Sequence, residues 1–193
     1  MKEIGVLVIG ITMWFHVFTQ AIYYETDRSG LSFFTGLVVE NTNFSTLGMA
    51  YNGGGNFTIA FNALGSFAQS APNGLQAYFS VIPVRGSSKR GNVTGIEMFT
   101  SYSTFFGNRQ RRNEGTFSFG TSLHWKVKLS DQEFYFVNTG GVSANFRGNT
   151  MYAIFAYSPT FQLGKLYLGP VFSWSTLDRQ RTLPTVLSIG IAF

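Results

Sequence analysis

The sequence predicts an all-β chain, a closed antiparallel up-and-down barrel of ten strands, with eight as the fallback if a pair among the first three is lost. Three observations carry this expectation. Strand-length stretches alternate strictly between apolar and polar residues. Turn signals cut the chain at short, regular intervals. No apolar run with helical period follows the first twenty residues. In Thr116–Leu129 the odd positions Phe117, Phe119, Leu123, Trp125, Val127 and Leu129 face Ser118, Ser122, His124, Lys126 and Lys128 across the strand. Successive strand residues point to opposite faces, so this segment has one oily face and one hydrophilic face.

The first element is not a strand. Lys2, the apolar run Ile4–Phe18 and the small residues Thr19-Gln20-Ala21 have the order of a secretory signal, so residues 1–21 are expected to be removed. The run is about 15 residues, short of the roughly 20 that a membrane-spanning helix needs. The barrel domain is then expected over 22–193, with strands near Leu31–Glu40, Phe44–Asn52, Phe57–Leu64, Leu75–Val84 and Val93–Phe106. Further strands follow near Thr116–Leu129, Glu133–Phe146, Met151–Leu163, Leu166–Thr176 and Leu183–Phe193. Gly53-Gly54-Gly55 is a turn rather than a phosphate cradle, because no helix follows it.

Two hairpins make the register testable. Gly164-Lys165 as a two-residue turn sets Leu163 against Leu166, Gln162 against Tyr167 and Phe161 against Leu168. Ser130-Asp131 as a two-residue turn sets Lys128 against Glu133, Val127 against Phe134 and Trp125 against Phe136. Pro159 and Pro170 each remove a ladder hydrogen bond and are expected near a bulge or a strand end.

Composition decides which way the faces turn. Charged residues are 12% of the chain and aromatic residues 17%, with 22 glycines. That is a poor soluble surface, and several strands reach the roughly 9–11 residues needed to cross a bilayer. The oily rows are therefore expected to meet lipid and the polar rows to line the interior. The principal rival is a soluble secreted, lipocalin-like binding barrel with the faces reversed. There is no cysteine, which excludes disulfides and thiolate metal sites, and no cofactor or metal is expected.

The chain's end resembles that of bacterial outer-membrane β-barrel proteins. Leu187, Ile189, Ile191 and the terminal Phe193 alternate as in that family, although Ser188 stands where glycine is common. The resemblance implies insertion in an outer membrane after export. The last strand would be read by the barrel-assembly machinery, and Ser130-Asp131, Gly164-Lys165 and the Arg85–Asn92 connection would lie on the periplasmic side. The opposite connections carry Arg109, Arg111, Arg112, Arg147, Arg179 and Arg181. Guanidinium groups bind phosphate in a fork, so lipopolysaccharide head groups are the expected partner. Nucleic acid is not, because stacking aromatics are missing from these loops.

Inside, parity places Glu97, His124, Lys126, Lys128, Glu133 and Tyr135 on the polar face, with Glu97 brought near His124 or Lys126. Charge pairing that fills the interior is the expected role, which points to a structural or surface-interaction protein. A narrow solute conduit is the alternative. An enzymatic reading would use Ser122, His124 and Glu97 as nucleophile, base and orienter on lipid acyl chains. Against it, residues two apart in a strand are separated by about 6.6 Å, beyond hydrogen-bond reach unless the side chains bend together.

Overall fold

A computed structural model describes residues 29–38, 44–66, 74–105, 115–176 and 185–192. The expected signal segment, Arg109, Arg111, Arg112, Arg179, Arg181 and Phe193 lie outside the described residues. All regular structure described is antiparallel strand: β1 Gly30–Val38, β2 Phe44–Gly53, β3 Phe57–Ser66, β4 Gly74–Ser87, β5 Val93–Phe105, β6 Thr116–Ser130, β7 Phe134–Arg147, β8 Thr150–Leu163, β9 Leu166–Ser175 and β10 Thr185–Ala192. Consecutive strands pair in order, an up-and-down meander. β1 is also hydrogen-bonded to β10, from Ser32↔Ala192 to Val38↔Val186. In that ladder Leu187, Ile189 and Ile191 pair with Leu37, Thr35 and Phe33.

The sheet curls so that one face is enclosed and the other is exposed. The enclosed face is the polar one. Leu123 is 61% exposed and Trp125 53%, while His124 between them is fully buried and Lys126 is 3% exposed. The same alternation runs along β4 and β8. Met151, Phe155, Phe161, Leu163, Leu166, Leu168 and Trp174 are all exposed, as the expected outward rows require. Tyr102, Trp125 and Tyr157 also stand on the exposed face, and the Tyr157 hydroxyl donates to Asn138 Oδ1 at 2.7 Å.

The Gly164-Lys165 hairpin has the expected register, Leu163↔Leu166, Gln162↔Tyr167 and Phe161↔Leu168. Gly164 takes φ 54, a left-handed conformation that glycine adopts without steric cost. The neighbouring hairpin differs from expectation. Its turn is three residues, Asp131–Glu133, with Glu133 at φ 55 and a register irregularity beside it. This is the pattern of a three-residue loop ending in a left-handed residue and a bulge. Lys128 therefore faces Tyr135, Val127 faces Phe136 and Trp125 faces Asn138, two residues away from the expected pairing. A shift of two preserves the face of every side chain, so the inside-outside assignment survives the error.

Pro159 and Pro170 sit neither at a bulge nor at a strand end. The β8–β9 ladder breaks after Tyr157↔Phe172 and resumes at Phe161↔Leu168 in the same register, which sets the two prolines directly opposite each other. Each lacks the N–H the other's carbonyl would accept, so the loss is confined to one pair of residues instead of two. Ser158 compensates, its hydroxyl donating to the Pro170 carbonyl at 2.7 Å. A real bulge occurs elsewhere, between Val81 and Val84, where Ile82 points inward and Pro83 and Val84 both point outward.

Large interior rings are accommodated by glycines on the neighbouring strand. Phe99 is paired with Gly120, and a Cβ there would collide with the Phe99 ring and the Val142 carbonyl. Gly140 on β7 has open space where a Cβ would stand. We expect Gly120→Val to destabilise the fold by about 1–3 kcal/mol through overpacking, with Gly140→Ala close to neutral. Denaturant unfolding midpoints of the two variants test the contrast.

Candidate functional site

The enclosed face gathers its charge toward the end where the short turns lie. Glu97 on β5 is paired with Ser122 on β6, and His124 lies one step further along the same face. The register thus delivers a carboxylate, a hydroxyl and an imidazole to one place, and all three are buried. Tyr78 donates to Glu97 Oε1 at 2.6 Å, and Ser122 donates to Glu97 Oε2 at 2.7 Å. His124 Nε2 stands 2.8 Å from the same Oε2 and 2.9 Å from Ser122 Oγ, and Nδ1 stands 3.0 Å from Thr139 Oγ1.

Ser122 and His124 therefore do meet, against the expectation from strand spacing. Both side chains lean toward Glu97, which closes the gap along the strand. The arrangement is nevertheless unlike a nucleophile–base–orienter chain, in which hydroxyl and carboxylate engage opposite imidazole nitrogens. Here they share Nε2. A carboxylate accepts and does not donate, so the hydroxyl proton and the Nε2 proton both point at Glu97. The geometry satisfies a buried charge from several sides, which is what makes a carboxylate tolerable away from water.

Lys126 lies below this network, its Nζ 4.0 Å from the centre of the Tyr135 ring, a cation–π contact. Its direct neighbours across the sheet are Val93 and Val137, which cluster with Ile82 as an apolar layer near the turns. Tyr135 is half-buried and shares the face with Lys126, as expected. Lys128 and Glu133 depart from the expected interior network. The longer turn puts Glu133 in an exposed, non-strand position and leaves Lys128 at the rim, where its Nζ pairs with Asp131 at 3.0 Å. Exposed pairs of this kind contribute little to stability. Of the six loop arginines, Arg147 is described, half-buried at the end of β7.

Two members of the network were not singled out from sequence, Tyr78 and Thr139. Tyr78 sits on the inward parity of β4. Thr139 is the register partner of His124, whereas a two-residue β6–β7 turn would have set Val137 there. The turn length was the missing signal.

No protein-family model matches this chain, and a search of curated proteins finds no relative of it. The functional reading therefore rests on geometry and sequence pattern.

Removing one member of a buried, charged hydrogen-bond network leaves the others uncompensated, at a cost of about 3–5 kcal/mol. Glu97→Ala is expected to lose stability in that range, and the pair Glu97→Leu with His124→Leu to recover most of it. Equilibrium unfolding of the two variants tests this. Equal losses in both would show that volume, not charge compensation, sets the cost.

Proposed function

We propose that this chain is an integral outer-membrane protein, a closed ten-strand transmembrane β-barrel with a plugged or narrow polar interior and a structural or surface-interaction role. The observation that carries the reading is the inversion of the faces. Phe117, Phe119, Leu123 and Trp125 are exposed while Glu97, His124 and Lys126 are buried. A soluble binding barrel needs the reverse, since contiguous exposed apolar surface of this extent favours association or lipid.

The register supports closure. The row through Gly48 passes by Asn62, Gln76 and Ser103 to Thr116 on β6. In the other direction it passes by Phe34, Gly190, Tyr167, Gln162 and Tyr135 to Lys128, twelve residues further along β6. Twelve residues of stagger over ten strands, at about 3.3 Å per residue and 4.8 Å between strands, correspond to a tilt of roughly 40°. That lies within the tilt of membrane-spanning barrels, roughly 35–45°. Pairing of β1 with β10 also removes the unpaired edge that hydrocarbon would not tolerate.

The resemblance of the last strand to the outer-membrane assembly signal supports the location. In that setting the arginines of the longer connections face lipopolysaccharide phosphates. The short turns face the periplasm. The shared imidazole nitrogen and the burial of Ser122 favour a structural network over acyl-transfer chemistry.

Cell fractionation tests the proposal. The protein is expected in the outer-membrane fraction, retained after an alkaline wash and released by detergent. Recovery in solution without detergent would overturn it.

A further inference from the structure

The enclosed face is divided in two. Toward the short turns it holds the Glu97–His124 network and Lys126. Toward the longer connections, on β3, β4 and β5, it is neutral and carries hydroxyl and amide atoms without a protein partner. Asn62, Gln76 and Ser103 are direct neighbours in one row across β3, β4 and β5, and Ser101 lies on the same face of β5. Asn62 Nδ2 donates to Gln76 Oε1 at 3.0 Å, which fixes both amides. Asn62 Oδ1, Gln76 Nε2, Ser101 Oγ and Ser103 Oγ are then left without a protein partner, all on side chains at least 97% buried. Thr46 Oγ1 on β2 and Ser173 Oγ on β9 are in the same condition on the same half of the sheet. Buried polar atoms are rarely left unpaired, and a contiguous group of them on three adjacent strands points to a partner from outside the chain.

We propose that this half of the interior is a binding site for a small uncharged polyhydroxylated solute. The free atoms are an amide acceptor, an amide donor and two hydroxyls that can do either, which matches a run of hydroxyl groups. None of the residues in the patch is ionisable, and Arg147 lies two strands from Ser103 in the same row. Glu97, His124 and Lys126 close the other half, so the site is blind rather than a conduit. The inference rests on the barrel reading above.

The chain has no cysteine, so single-cysteine variants report without background. The full chain is folded in lipid vesicles as Ser101→Cys, Ser103→Cys or Ser122→Cys, each checked for wild-type circular dichroism, and treated with methyl methanethiosulfonate. The Ser101→Cys and Ser103→Cys proteins are expected to react roughly tenfold or more faster than Ser122→Cys. Glycerol near its dissociation constant is expected to slow them about twofold. Protection equal to that of Ser122→Cys overturns the site, as does equal reaction of all three, which would mean one continuous aqueous path. Reaction that glycerol does not slow overturns the ligand class. Leu123→Cys tests the barrel reading separately: a membrane-impermeant thiol reagent labels it in vesicles if that reading fails.

Discussion

A strand has two faces and a period of two, so every strand must commit one whole row of side chains to the inside and the other to the outside. In this chain most strands make the same commitment. From β1 to β9 the exposed face is made largely of big apolar side chains, and the enclosed face holds most of the buried polar groups together with a smaller set of apolar ones such as Phe34, Phe99, Ile154 and Val171. Turn lengths, prolines and bulges then operate under that constraint. The two-residue register shift beside the β6–β7 turn and the paired prolines of β8 and β9 both leave face identity intact, because neither changes parity. The bulge at Ile82 and Pro83 does change it, and it does so near a strand end, where few residues follow.

An enclosed polar face creates its own problem, since charges removed from water need partners. The chain answers with one compact cluster rather than with scattered pairs. Glu97 receives Tyr78, Ser122 and His124, and His124 is held on its other nitrogen by Thr139. The cost of desolvation is offset only while all members are present, which ties the fold of β4–β7 to five side chains from four strands. Phe99 and Gly120, directly opposite, show the complementary device for bulk. A ring on one strand occupies the space that a missing Cβ leaves on the next.

Much of this was legible in the sequence because it depends on period. The alternation in Thr116–Leu129 and the glycine turn at Gly164 are local facts, and the strand boundaries and the β8–β9 register follow from them. What was not legible depends on loop conformation and side-chain reach. Glu133 adopts a left-handed conformation that no residue type at that position announces, so the turn was read one residue short and Lys128 was matched to the wrong partner. Ser122 and His124 looked too far apart because spacing along a strand ignores a third residue that draws both together. Pro159 facing Pro170 required the register of β8 on β9, which sequence offers only after the Gly164 turn is placed.

The proposed membrane setting adds one demand, that Trp125 and its neighbours touch acyl chains. The chain has three tryptophans. Replacing Trp14 and Trp174 with phenylalanine leaves Trp125 as a single reporter in protein folded into vesicles of lipids brominated on their acyl chains. Strong quenching of its fluorescence relative to unbrominated lipid is the expected result. Emission unchanged by the bromines would place Trp125 away from lipid and contradict the orientation on which the account depends.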